Sequence, residues 1–451
     1  MPSVAGLAAK MKMGAVCALV ALLLSGITWC GDAVAHWPSF RGPLGTGAAP
    51  QSDPPAEWSE TKNVKWKTAI PGRGHGSPIV WGDVICITSA VPEGGGDAAL
   101  VEDRGRGGRP GLPSIGTDRV HEFTVMAFER GTGRIIWKRT VLKEKPGERT
   151  HAHGSWASAS PVTDGEHVYA YFGSYGIYCL DMKGNVKWGK RLGRMQTRAS
   201  FGEGSSPALH GDKLIVIQDH EGDSFIVVLD KKTGEEVWRK ERDEPTSWST
   251  PLVIEKNGVA QVITNATRTV RSYDLADGKT IWTCSGMTLN VVPTPVYADD
   301  MVFVMSGFRG AALRAIKLSE AKGNIDSTKA IVWSLDRYTP YTPSPVLHDG
   351  LLHFFEGNTA TVSCYDAKTG KEHYVRKKIE DMGTIYASPV VGGGRLYIVG
   401  KSGTTFVIGH SKERKRIARN VLKDSFSATP AIVGRDMILR GEKNLYCLSE
   451  K

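Results

Sequence analysis

Histidine, arginine and aromatic residues recur in short polar stretches of this chain, each just ahead of an apolar run. The stretches are "PGRGHG" (71–76), "RTHAHGSWAS" (149–158), "MQTRASFGEGS" (195–205), "PTSWS" (245–249), "TLNVV" (288–292), "YTPYTP" (338–343), "GTIYA" (383–387) and "KDSFSA" (423–428). They supply Arg73, His75, His151, His153, Trp156, Arg198, Phe201, Glu203, Trp248, Asn290, Tyr341 and Tyr386 as candidate ligand-binding residues. Rings that stack, beside guanidinium and imidazole groups that hydrogen-bond, suit a flat or anionic ligand. The same residues would also fill the middle of a ring-shaped fold and satisfy one another.

His151 and His153 are two apart, so in an extended segment both imidazoles point the same way. Two imidazoles alone make a poor metal site, and a carboxylate such as Glu203 would have to join them. "DHEGD" (219–223) carries oxygen ligands at alternate positions, as calcium loops do, but lacks the rest of such a loop and reads as a solvated turn. No Gly-x-Ser-x-Gly elbow, phosphate loop or His-Glu-x-x-His motif is present, and no residue is assigned a catalytic role.

The elements that must position these groups form a repeat. A Ser/Thr-Pro pair opens each unit: Ser77-Pro78, Ser160-Pro161, Ser206-Pro207, Thr250-Pro251, Thr294-Pro295, Ser344-Pro345, Ser388-Pro389 and Thr429-Pro430. Two short apolar strands follow, then a third ending near an acidic residue, then a turn such as "TG" and a strand carrying Trp. The clearest copy is "SSPALHGDKLIVIQDHEGDSFIVVLDKKTGEEVWRKER". Units recur every 41–50 residues except across the first, which holds a Gly/Arg-rich insertion at 92–119. Four short antiparallel strands at that spacing make a β-propeller blade, so eight openings predict eight blades. The final unit, "SATPAIVGRDMILRGEKNLYCLSEK", supplies three strands only. The orphan "NVKWKTAI" (63–70) matches "NVKWGKRL" and should add the missing fourth, closing the ring and removing two open edges. Trp66, Trp137, Trp188, Trp238, Trp282 and Trp333 then read as blade-packing anchors, with "EHYVRK" and "RKRIARN" departing from the pattern in blades six and seven.

Alternation of strand direction puts the first and third connections of every blade on one face. The second connections and the inter-blade links fall on the other. The first set is short and stereotyped; the second is long and varied, and it carries all the candidates above. Binding residues concentrate on variable loops held by a rigid scaffold, so the long-loop face is the expected functional face.

Ahead of this domain, Lys10 and Lys12 precede the apolar run 14–28, and "AVA" (33–35) offers a signal-peptidase site. We expect residues 1–35 to be a signal peptide cleaved after Ala35, residues 36–62 an extended N-terminal segment, and 63–451 one propeller in the periplasm or secreted, not transmembrane once cleaved. Cys86, Cys179, Cys284, Cys364 and Cys447 are scattered and read as small core residues. The formal net charge of +10 concentrates at 104–111 and 411–423. For an exported protein this points to a solvated surface near anionic lipid or polysaccharide and not to nucleic acid.

The phrases "WPSFRGPLGTG", "GHGSPIVWGD", "HGSWASASPVTDGEHVYAYFGSYGIYCLD", "SSPALHGDKLIV" and "SWSTP" resemble exported propellers of the pyrroloquinoline-quinone-like (PQQ-like) repeat superfamily, in particular a planctomycete-type group. That resemblance implies one of two functions. The superfamily contains non-catalytic scaffolds of the BamB-like kind. It also contains quinone-dependent alcohol and sugar dehydrogenases, which hold PQQ above a Trp floor with calcium bound by carboxylate and amide oxygens, use an Asp base, and often carry a disulfide between adjacent cysteines. This chain has no adjacent cysteines, and neither a calcium triad nor the Asp base maps onto it by motif. The expectation is therefore an exported binding or assembly scaffold, with an envelope protein, glycan or small molecule on the long-loop face. A PQQ- and calcium-dependent dehydrogenase is the alternative. A carbohydrate site built on Trp156, Trp248 and Tyr341 is a third reading.

Overall fold

The computed structural model describes residues 36–96, 100–102 and 113–450. The expected leader and the Arg/Gly-rich centre of the insertion lie outside the described residues. Eight four-stranded antiparallel sheets succeed one another along the chain. Their innermost strands are Ile79–Trp81, Val162–Thr163, Ala208–His210, Leu252–Lys256, Val296–Ala298, Val346–His348, Val390–Gly392 and Ala431–Val433. The eighth sheet is completed by Val64–Ala69, which pairs antiparallel with Asn444–Leu448, Trp66 facing Cys447. The first chain segment of the domain thus closes the ring, as its likeness to "NVKWGKRL" predicts.

Two contacts, repeated from blade to blade, explain the sequence pattern. The first is a Trp latch. Trp137, Trp188 and Trp238 donate their indole N–H to carbonyls of the next blade, at Met182 (2.9 Å), Lys231 (3.1 Å) and Leu275 (2.8 Å). Trp333 reaches Ala367 (2.9 Å) in the same way. Trp66 reaches Arg130 (2.8 Å), so the closing seam uses the same latch as the others. Under each of these rings lies the turn glycine of the next blade. A Cβ on Gly133, Gly184 or Gly234 would come within 2.5–2.7 Å of the indole, and all three have φ near +75 to +83°. The "TG" turn therefore needs glycine for its backbone and for the Trp above it. Its Asp ties the hairpin as expected: the Asp230 carboxylate accepts the N–H groups of Lys232 and Thr233 (both 2.9 Å). The residue facing Trp across the strand pair is small in most blades, as at Ala127, Cys179, Ser272 and Cys447. The five cysteines after residue 35 are buried and unpaired, as expected.

The second contact is a belt around the axis. Each Ser/Thr of an opening pair donates its backbone N–H to the hydroxyl of the next blade's Ser/Thr: Ser77 to Ser160 (2.8 Å), Ser160 to Ser206 (2.9 Å) and Ser206 to Thr250 (3.1 Å). It resumes from Thr294 to Ser344 (3.0 Å), Ser344 to Ser388 (2.9 Å) and Ser388 to Thr429 (3.0 Å). Thr429 to Ser77 (3.0 Å) closes the circle. The one break falls between Thr250 and Thr294, whose Oγ1 is buried without a partner.

The seam at that break, between blades four and five, is built differently throughout. Trp282 is buried and its indole N–H has no acceptor. The C-terminal hairpin of blade five lacks "TG". Instead Gly323–Asn324 runs parallel to the outer strand Thr280–Cys284 as a fifth strand of blade four. On the axis side, the Asn265 side-chain amide and the Ser249 hydroxyl both donate to the Pro293 carbonyl (2.9 and 3.1 Å). Blade seven also departs from the rule, with Ala418 in the Trp position. Trp58 of the N-terminal segment packs into that cluster, its ring 6.4 Å from Tyr397 and its backbone N–H on the Asn420 side chain (2.9 Å).

Residues 36–54 cross the short-loop face. Trp37 pairs with Val80 in blade one, and Pro38 accepts the Thr163 N–H (3.0 Å) in blade two. Thr46 meets Leu347, Ala48 pairs with Val391, and Asp53 bonds Gly434, in blades six, seven and eight. Arg41 is buried midway, giving an Nη2–H to the Pro345 carbonyl (2.7 Å). The "WPSFRGPLGTG" motif is a stopper.

Replacing Trp66 with Ala removes the latch at the closing seam. We expect a loss of about 3–5 kcal/mol in urea unfolding, typical of large-to-small core changes. Trp66→Phe, which keeps the packing and loses only the bond to Arg130, should cost about 1 kcal/mol.

Candidate functional site

The belt and the stopper shape the middle of the molecule. On the long-loop side, the axis opens into a cup of about 430 Å³ whose floor is Phe40 and the belt hydroxyls. Its mouth carries a collar of rings from successive links. His153 lies 6.0 Å from Tyr386 and 5.3 Å from His151, which meets Phe201 edge-on at 5.4 Å. Phe201 lies 6.5 Å from Trp248, and Phe308 stacks on Tyr341 at 4.8 Å.

Of the residues expected from sequence, His75, His151, His153, Phe201, Glu203, Trp248, Tyr341 and Tyr386 line this cup together. Four stand behind it. Arg73 donates to the Ala152 carbonyl (3.0 Å) and backs the histidines. Trp156 is buried, bonded to the Glu148 carbonyl (2.9 Å) and edge-on to His121. Arg198 gives its backbone N–H to Thr246 (2.9 Å), and Asn290 is buried with a left-handed backbone. Phe308 and Asn358 also line the cup, and Lys401 stands beside it against the Tyr386 ring, none of them among the residues expected from sequence. All three sit on second connections, in "SGFRGA", "EGNTA" and "GKSGT", which fall on the same face by the same topology.

The insertion in blade one helps place the histidines. Leu100–Glu102 and Pro113–Ile115 form a hairpin whose second strand pairs with Thr150–His151. The His153 N–H donates to His151 Nδ1 (3.1 Å), which leaves His151 Nε2 as the protonated nitrogen of its neutral ring. Burial, then Lys401, His151 and Arg73, push His153 down to about 4. Burial and Lys401 lower His151, and burial with Arg73, Arg440, Lys401 and His153 holds His75 well below the usual imidazole range. At neutral pH all three are uncharged rings facing the cup.

Glu203 is the one carboxylate of the cup lining. It accepts the Ser174 backbone N–H (2.6 Å) and the Ser174 hydroxyl, beside a small space of about 10 Å³ shared with Trp156, Tyr171 and Trp248, room for one water. Burial raises Glu203 to about 7, the Ser174 bonds opposing and Glu148 adding to it.

A calcium-held quinone of the kind used by the enzyme branch does not fit these donors. Among the described residues no set of three or more His, Cys, Asp or Glu side chains is placed to hold a metal ion. No Asp lines the cup, its single carboxylate is engaged by Ser174, and the floor is Phe40 where those enzymes have Trp.

Fold and cup together define a PQQ-like β-propeller. The sequence matches the family described as outer membrane protein assembly factor BamB over residues 121–374 and 222–451, and the chain belongs to that family. No curated protein matches it. Among solved structures, it is similar to BamB from Moraxella catarrhalis, with 14% identity and a TM-score of 0.51 over 78% of this chain and 96% of that one. It is also similar to a europium-containing methanol dehydrogenase (11% identity, TM-score 0.63, 92% and 98% covered). A quinohemoprotein alcohol dehydrogenase from Comamonas testosteroni gives 10% identity and a TM-score of 0.61, with 92% and 81% covered. These likenesses establish the fold.

Glu203 gives a test of the cup's electrostatics. Its folded pKa lies above that of an unfolded glutamate, so the native state holds this proton more tightly. The stabilisation is full below about pH 4.5 and is lost as pH rises through about 7. Stability of the native protein measured in urea should fall between pH 5 and 8 by more than that of Glu203→Gln, which has no proton to lose there.

Proposed function

We propose that this chain is an exported, non-catalytic binding propeller whose receptor site is the axial cup on the long-loop face. The observation that carries this reading is a ring-collared cavity with a closed floor. A channel stoppered at one end by residues 36–54 receives a ligand; it does not conduct one. Its apolar rings with a few placed polar groups follow the general make-up of small-molecule sites. The ligand class is ring-bearing, either a glycan unit or an aromatic compound, stacked among Trp248, Phe201, Tyr341 and Tyr386. Export is supported by the leader-like composition of residues 10–35. No helix among the described residues is long and apolar enough to cross a membrane. Membership of the BamB family supports a scaffold role in the envelope, with the long loops around the cup as the face offered to a partner.

The quinone dehydrogenase reading draws on the likeness to two dehydrogenase structures, which is a likeness of fold, and it meets the misfit of donors described above. The two readings part in one experiment. The purified protein is screened by calorimetry against a glycan and aromatic-compound panel, then mixed with PQQ, calcium and a dye in the presence of alcohols and sugars. We expect binding without dye reduction, and at least a tenfold loss of affinity in Trp248→Ala, equivalent to about 1.4 kcal/mol. Dye reduction dependent on quinone and alcohol would remove the non-catalytic reading. Unchanged affinity in Trp248→Ala would remove the cup as the receptor.

A further inference from the structure

Behind one sector of the cup wall stand cations that, among the described residues, pair with no carboxylate. His151 and His153 face the cup from the link into blade two. Arg73 backs them from the link into blade one, with its Nε buried and unbonded. Lys401 approaches from blade seven. Its Nζ is buried, makes no hydrogen bond and lies 5.2 Å from the centre of the Tyr386 ring. Behind them Arg440 is buried, donating to the Gly76 carbonyl (3.1 Å) through Nη1, with Nε unbonded. Glu442 is the carboxylate whose field reaches Lys401, but it is engaged by the Ser425 hydroxyl (3.3 Å) and makes no ion pair with the lysine.

Such an arrangement is costly. A buried cation normally holds a counter-charge, and here Arg440, the Nζ of Lys401 and the Nε of Arg73 are buried without one, near rings and neutral imidazoles. The positive charges bear on one another: burial and then Arg73 lower Lys401 against the opposing field of Glu442, and burial, then Lys401, His151 and Arg73, lower His153. The cup's own carboxylate does not offset the field. Glu203 comes from the link into blade three, bonded to Ser174 and held near half-protonated at neutral pH.

We propose that this sector is an anion subsite of the cup, which takes a carboxylate or phosphate group carried by a ring-bearing small molecule. The proposal rests on the receptor reading above and names the class of its ligand. The anion would sit against His153 and His151 Nε2–H. Lys401 can swing its ammonium from Tyr386 toward it, and Arg73 contributes its field from behind. The collar rings hold the rest of the ligand. Charge-assisted bonds in a cavity with low-dielectric walls are stronger than the same bonds at an open surface.

The test uses the full-length protein and three probes of similar shape: phenyl phosphate, benzoate and uncharged benzamide, titrated at low salt. We expect one or both anions to bind at least tenfold more tightly than benzamide. Lys401→Met, which breaks no hydrogen bond in the fold, should weaken the anion at least fivefold and leave benzamide unchanged. The His153 ring signal in NMR should titrate at higher pH when the anion is bound, because its neighbours His151, Arg73 and Lys401 no longer repel its proton alone. Benzamide binding as tightly as benzoate, or Lys401→Met binding phenyl phosphate like the native protein, overturns the anion subsite while the receptor reading stands. Silence with all three probes and with the glycan and aromatic panel overturns both.

Discussion

The architecture depends on a circle of hydrogen bonds that no single blade can make. Seven of the eight opening Ser or Thr residues give their backbone N–H to the next blade's hydroxyl, at 2.8–3.1 Å. These N–H groups lie in the buried centre of the molecule, where an unpaired donor costs free energy. The proline that follows each one fits the same need. It holds the Ser or Thr extended and brings no second N–H to the axis. These bonds tie neighbouring inner strands together, and the same hydroxyls line the cup.

Around that constraint the chain has freedom on one face only. The short-loop face is occupied by the Trp latches, the turn glycines beneath them and the stopper. The long-loop face carries no such duty, and there the links vary in length and side chain. Blades four and five show what happens when the rule is broken: the belt bond and the Trp latch are both missing at one seam. Asn265 and Ser249 replace the first, and Gly323–Asn324 replaces the second. At this seam a substitute stands on the inner side and another on the outer side.

Much of this was legible in the sequence, because it is local or repeated. The Ser/Thr-Pro openings, the Asp-x-x-Thr-Gly turns and the Trp strands each state their role within a few residues, and the orphan "NVKW" could be assigned by likeness to its twin. Eight of the twelve candidate residues read from sequence line the cup, since alternation of strand direction puts every link on one face. What was not legible involves partners far apart in sequence. The hydroxyl of Ser77 serves Thr429, and nothing near either residue says so. The aromatic residues of "WPSFRGPLGTG" indicate packing but not that it closes the axis. Trp58 standing in for the missing Trp of blade seven is likewise a relation between residues about 360 apart. Lys401 was not legible, because "GKSGT" has the composition of a solvated turn and the placement of its Nζ over Tyr386 is a property of the assembled ring.

The belt is the claim on which the rest stands, and amide hydrogen exchange addresses it residue by residue. The N–H groups of Ser77, Ser160, Ser206, Thr294, Ser344, Ser388 and Thr429 should exchange only with global unfolding, although the cup beside them is open to water. Thr250, which has no hydroxyl acceptor from Thr294, should exchange measurably faster. Exchange of those seven at the rate of Thr250 would contradict the belt of bonds, and with it the account of how the inner strands are tied around the cup floor.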